Sequence, residues 1–172
     1  QSGLYSDLAG VGSVEAARLA IEEFGGQVLG KKIELVWADH QNKADIGAGI
    51  ARAWFDKDGV DAIADFSNSS VGFAVQALAN ERKKITLITA ASSDFTGKAC
   101  TPLSTQWVYN SYSNGYGLAR LMTQRGLGSV YLLTVDYAFG HAFANDVRKA
   151  VTDNGGKVVG EVRFPLNSSD LS

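Results

Sequence analysis

Asp61-Ala-Ile-Ala-Asp-Phe66, running into Ser67-Asn-Ser-Ser70 and then into a helical pattern as far as Arg82, is the stretch that decides the fold. An apolar run of strand length ends in a polar loop, and Val71, Ala74, Val75 and Leu78 then recur on one helical face. The next apolar run, Ile85–Thr89, ends in a second hydroxyl-bearing loop, Ala90-Ala-Ser-Ser-Asp94. Strand, helix, strand in this rhythm is a βαβ unit and implies a parallel sheet. A third run, Ser129–Val135, leads into Asp136-Tyr-Ala-Phe-Gly-His141. In open parallel α/β sheets, ligands sit beyond the carboxyl ends of the strands. Polar loops at three such ends, without a catalytic set beside them, point to binding rather than chemistry.

Working outward, the spacing predicts a helix from about Leu8 to Phe24, with Ala17, Ala20, Ile21 and Phe24 on its apolar face and Gly25-Gly26 closing it. It predicts a strand over Lys32–Ala38. A helix over Asp45–Lys57 follows, with Ile46, Ile50, Ala53 and Trp54 turned inward. The rhythm breaks between Asp94 and Pro102, where Thr96, Gly97 and Lys98 are loop chemistry. A short strand at Gln106–Tyr109 then leads into Asn110-Ser-Tyr-Ser-Asn114. Helix, strand, helix and strand follow at Gly115–Arg125, Ser129–Val135, Ala142–Asp153 and Lys157–Phe164. The expected organisation is a first α/β lobe over 1–104, a crossover over 105–111 and the start of a second α/β lobe over 112–172. Each lobe would be a doubly wound parallel sheet. The first helix has no strand ahead of it, and Ser168, Ser169 and Asp170 signal a helix start with no helix after it. The chain therefore reads as an N-terminal excerpt, and an exposed sheet edge predicts that it is marginal alone.

Composition removes several classes. The 172 residues are 45% hydrophobic and 20% charged, an ordinary globular balance. A net charge of -2 with interspersed signs offers no basic stripe for nucleic acid. No apolar run approaches the roughly 20 residues of a membrane span, so the protein is not expected to be membrane-inserted. The chain opens on Gln1-Ser2-Gly3 without a signal peptide, which is equally the state of a matured secreted protein. The single Cys100 is a reduced or buried thiol, or half of a bridge to residues outside the chain.

Each candidate site residue has a structural and a functional reading. Asn68 or Ser69 can cap the helix that follows. Equally, Ser69 and Ser70, with Ser92 and Ser93 at the next strand end, can hold a carboxylate or phosphate against a helix N-terminus. Tyr5, Tyr137 and Phe139 lie in loops, where aromatic faces line a cleft or pack on helix ends. The enzyme readings lack their parts. Gly10-Val-Gly12 has neither the third glycine of a dinucleotide fingerprint nor a preceding strand. There is no Gly-x-Ser-x-Gly elbow and no phosphate loop. His40 and His141, the two histidines, have no metal-ligand spacing, and no metal or other cofactor is expected. A doubly wound enzyme using Asp39, His40 or Asp65 is the residual alternative. Asn68-Ser-Ser70 and Asn167-Ser-Ser169 also match glycosylation acceptors.

Taken in order, Ser2-Gly-Leu-Tyr-Ser-Asp-Leu-Ala-Gly10, Ala16-Ala-Arg-Leu-Ala-Ile-Glu22, Ser67-Asn-Ser-Ser70, Ile88-Thr-Ala-Ala-Ser-Ser93 and Thr134-Val-Asp-Tyr-Ala-Phe-Gly140 resemble the type I periplasmic binding proteins. The likeness is to the branched-chain amino-acid group, the leucine/isoleucine/valine-binding-protein-like members. It implies two lobes joined by crossovers, a small carboxylate held between them, and delivery to a membrane ABC permease. It implies a periplasmic or cell-envelope location with the signal sequence removed, and no enzymatic activity. First-lobe contacts would be Tyr5, Ser69 or Ser70, and the turn Ala91, Ser92 and Ser93. Tyr137 and Phe139 would close from the second lobe. The family's acid for an amino-acid ammonium group has no counterpart in this chain, and Asp136–His141 looks more like relatives that bind aromatic acids. The resemblance also suggests a partner for Cys100 outside the chain. The rival of the same fold is a cytoplasmic small-molecule sensor.

Overall fold

In the computed structural model, which describes residues 3–168, the βαβ unit forms the best-buried part of the molecule. Ala62–Ala64, Ile85–Ile88 and Ser104–Gln106 (β3, β4 and β5, after a short hairpin, β1 and β2) make a parallel sheet in the order β3-β4-β5. Helix α3, Ser69–Glu81, leaves β3 and packs beside helix α2, Ala44–Asp56. Ala51, Phe55, Ile63, Phe66, Val71, Val75, Leu78, Ala79, Ile88, Ala90 and Phe95 share one core. Asn68 starts α3 as its cap, its Oδ1 accepting from the Ser70 and Val71 amides at 2.9 and 3.3 Å. Such a cap is worth about 1 kcal/mol.

The inward face of α2 is shifted one residue from expectation. Gly47, Ala51 and Phe55 are buried, and Ile46, Ile50, Ala53 and Trp54 flank them at intermediate exposure. Side-chain size explains the shift. A Cβ at Gly47 would stand 2.6 Å from Val71 Cγ1, so the small residues mark the line where the two helices approach.

The N-terminal region departs further. Helix α1 covers Val11–Glu23, and none of its residues is buried. The segment predicted as a strand over Lys32–Ala38 pairs only at Lys31–Lys32 (β2), in an antiparallel hairpin with Gln27–Val28 (β1). The two-residue turn between them, Leu29 and Gly30, takes φ of 50° and 75°, which suits a tight hairpin. Residues 33–40 join no sheet among the described residues, because a strand needs a neighbouring ladder and none is supplied there.

Next, β5 falls at Ser104–Gln106, earlier than the predicted Gln106–Tyr109, and closes the sheet beside β4. Trp107, 70% exposed, follows it, with its amide donating to the Ile88 carbonyl at 2.9 Å. Tyr112–Tyr116 form a π-helical turn that runs into α4, Gly117–Gln124. Strands β6, Ser129–Val135, and β7, Lys157–Phe164, pair in parallel. Helix α5 begins at Ala138, four residues before the predicted Ala142, and ends at Asp153. It lies against β6 so closely that a Cβ at Gly140 would be 1.9 Å from the Val135 carbonyl oxygen. The smaller core here is Ala119, Ala150 and Val151, with Tyr116, Val130, Val147 and Val158 around it. Ser169 and Asp170, part of the helix-start signal, and the second glycosylation motif's Ser169 lie outside the described residues.

Candidate functional site

The three strand-end loops come together where α5 meets α3 and the 3-10 turn after β4. From the N-terminal turn, Tyr5 extends its phenol to within 2.6 Å of the Tyr137 hydroxyl. Tyr137 is the residue before α5, and its ring lies 6.1 Å from that of Phe139, which in turn lies 5.7 Å from Phe143. Phe139 is therefore in the first turn of a helix and not in a loop, as its sequence setting suggested. Burial, and then the bond to Tyr5, push the Tyr137 phenol well above the ordinary tyrosine range, so it stays protonated and neutral.

At the end of β3, Ser69 is 1% exposed, and Ser70 stands at intermediate exposure on the first turn of α3. The Ser70 Oγ accepts a long 3.4 Å bond from the Ala138 amide across the junction. A hydroxyl that accepts keeps its own proton to give. Because Asn68 already takes the amides of Ser70 and Val71, an anion at this helix start would meet the Ser70 hydroxyl and the helix dipole rather than those two amides.

At the end of β4 the loop is pinned from below. Gln106 Nε2 donates to the carbonyls of Ala90 and Ser92 at 2.8 and 3.0 Å. Ser92 is fully buried, and its Oγ accepts from the Asp94 amide at 3.3 Å, capping the 3-10 turn Ser93–Phe95. The Ala91 carbonyl accepts from the Ser111 amide at 2.7 Å. Ser93 Oγ donates to Asp146 Oδ2 at 2.8 Å, and Ser111 Oγ donates to the same oxygen at 2.7 Å. The structure thus gathers Tyr5, Ser70, Tyr137 and Phe139 around the junction, while Ser69 and Ser92 lie enclosed beneath it and Ser93 faces α5. Gln106, Ser111 and Asp146 were absent from the expected set. Ser111 sits in the polar run Asn110–Asn114, which was a signal; Asp146, one acid on a mixed helix face, carried none.

A neighbouring cavity is lined in part by Tyr5, Ala38, Asp39, His40, Asn42, Asp65 and Ser67. It collects the three residues of the enzyme alternative but assembles them differently from a catalytic set. His40 Nδ1 accepts from the Asn42 amide at 3.0 Å, and burial lowers its pKa, which favours the neutral ring. Asp65 accepts the Thr89 hydroxyl at 2.6 Å. His141 lies elsewhere, its Nε2 2.7 Å from Asp136 Oδ1. Among the described residues no cluster of His, Cys, Asp and Glu could hold a metal ion, and no helix is long and apolar enough to cross a membrane. Cys100 is an exposed free thiol.

The fold has counterparts among solved structures over nearly the whole chain. A periplasmic binding protein from Burkholderia mallei is 42% identical, with a TM-score of 0.94 over 98% of this chain and 45% of that one. A branched-chain amino-acid ABC transporter periplasmic ligand-binding protein from Burkholderia xenovorans is 40% identical, with a TM-score of 0.78 over 98% of this chain and 46% of that one. An ABC transporter solute-binding protein from R. palustris, solved with 4-hydroxybenzoate, is 27% identical, with a TM-score of 0.83 over 98% and 46%. The chain spans less than half the length of each of these structures. The fold is that of the type I periplasmic binding proteins, and the family model described as periplasmic binding protein matches residues 1–172, so the chain belongs to the periplasmic binding protein family.

Proposed function

We propose that the protein carrying this chain captures a small carboxylate, an aromatic acid or an amino acid, outside the cytoplasm and hands it to an ABC permease. The observation that carries this reading is the meeting of Tyr5 and Ser70 from one side with Tyr137 and Ala138 from the other, at 2.6 and 3.4 Å. Ser70 supplies a hydroxyl proton at a helix N-terminus, a suitable hold for a carboxylate. Tyr5, Tyr137 and Phe139 supply ring area beside it, which suits a flat apolar body. Ala91, Ser92 and Ser93, with Ser69, form the floor on which these groups stand. In the division we favour, residues 1–104 and 112–172 belong to different lobes, and the crossover over 105–111 absorbs closure between them. No bond is broken in this scheme and no cofactor enters it. The benzoate-type and branched-chain relatives support both ligand classes.

The test is calorimetric titration of the natural-length protein with benzoate, 4-hydroxybenzoate and L-leucine. Binding of at least one, with Ser70→Ala losing about tenfold in affinity for a charge-assisted hydrogen bond, is expected. No heat with any small carboxylate, or an unaltered affinity in Ser70→Ala, would count against the assignment. Fractionation of the producing cells separates the transport reading from a cytoplasmic sensor of the same fold.

A further inference from the structure

We propose that Asp146 is a positioning residue that braces the Ser93 turn against α5 through Ser111, and so sets the angle between the two sides of the ligand junction. The proposal rests on the solute-binding reading above for its ligand readout only. Ser111 is fully buried, and its hydroxyl both accepts and donates within this cluster. Its amide donates to the Ala91 carbonyl at 2.7 Å, its Oγ accepts from the Ser93 amide at 3.0 Å, and its hydroxyl proton goes to Asp146 Oδ2 at 2.7 Å. Ser93 sends its own hydroxyl proton to that same oxygen at 2.8 Å.

Two consequences follow from a hydroxyl having one proton. With that proton committed to Asp146, Ser93 cannot also donate to a ligand carboxylate, so it contributes through the place it gives the turn. And because a carboxylate oxygen accepting two hydroxyls is a charge-assisted arrangement, Asp146 is the strongest polar tie between α5 and the turn after β4. The other ties across the junction are the neutral phenol pair Tyr5–Tyr137 and the long Ser70–Ala138 bond. Asp146 is bonded to Ser111, the last residue of the proposed crossover, and lies on the helix that Tyr137 precedes.

The experiment uses the natural-length protein with Cys100 and any other native cysteine replaced by serine, and spin labels on cysteines placed at the exposed Asn80 and Thr152, one on each side. Pulsed dipolar spectroscopy without ligand is expected to give a narrow distance distribution that broadens in Asp146→Ala and in Ser93→Ala. The double variant should be no broader than Asp146→Ala alone. Asp146→Asn, whose amide oxygen still accepts a hydroxyl, is expected to restore most of the narrow population. Affinity for benzoate, 4-hydroxybenzoate or L-leucine should fall about tenfold in Asp146→Ala and recover in Asp146→Asn. Unchanged distances in Asp146→Ala, or an affinity that rises because the acid competed with the ligand, overturns the brace. If the unaltered protein binds none of the three probes, the solute-binding reading fails. The distances, which need no ligand, then decide the brace alone, broadening supporting it and constancy refuting it.

Discussion

Helices α1 and α3 are both 13 residues long and both follow a polar turn, yet α1 buries none of its residues and α3 buries Ser69, Val71, Gly72, Val75, Gln76, Leu78 and Ala79. Local pattern does not separate them: each carries apolar residues at helical spacing. What separates them is the sheet. β3 and β4 lie beside each other next to α3, whereas residues 33–40 near α1 join no sheet among the described residues. A helix draws most of its stability in a protein from packing an apolar face, so the same period can mark a core element or an exposed one. The difference is expressed in Leu19, 58% exposed on α1, against Leu78, 8% exposed on α3.

The largest expected effect breaks or keeps that contrast directly. Leu78→Ala should cost about 2–5 kcal/mol in denaturant unfolding, as buried leucines do. Leu19→Ala should stay within about 0.5 kcal/mol, as exposed positions do. Equal losses would mean that α1 has a partner this structure does not show.

A smaller effect sharpens the comparison within one helix. Gly47→Ala should destabilise by about 1–3 kcal/mol, because its new Cβ meets Val71 at 2.6 Å in the α2–α3 seam. Gly49→Ala, with nothing within 4 Å, should stabilise by about 0.5–1 kcal/mol through helix propensity. Opposite signs two residues apart, measured by urea midpoints, check that the seam lies where α2 is thinnest.

The smallest effect concerns pH. Burial lowers the His40 pKa below 6.5, so the unfolded chain takes a proton more readily than the folded one. The stability held by the neutral ring is present above pH 6.5 and is lost as pH falls below it through the lower pKa of the folded state. His40→Gln should flatten the melting temperature between pH 7 and pH 5 relative to the parent; a parallel slope in both would remove His40 as the cause.

These contrasts also explain what was legible in the sequence. The β3–α3–β4 unit was, because Val71, Val75 and Leu78 repeat with the helical period and the strands on either side are short and apolar. The alternating Ile33, Leu35 and Trp37 read as a strand for a sound local reason, but a ladder is a property of two segments and the period says nothing of the second. The start of α5 was missed because Asp136 and Gly140 look like turn residues. Gly140 is there because only hydrogen fits against the Val135 carbonyl. At the site, the hydroxyl loops were visible, whereas the tie from Ser93 to Asp146 joins residues 53 apart in sequence, and no spacing rule reaches that far. The Ser93 and Ser111 protons go to Asp146, and Ser69 and Ser92 are buried, which leaves Ser70 as the serine best placed to donate.

Trp107 gives the molecule a gauge of its own. It is one of three tryptophans, and it lies between β5 and the buried Ser111. Its indole Nε1 donates to the Thr105 hydroxyl at 2.7 Å, so one edge is held while most of the ring meets solvent. Its emission wavelength thus becomes a ruler read without any label: movement that buries or frees this ring shifts colour, while Trp54, packed on the first core, supplies a steadier reference within the same spectrum.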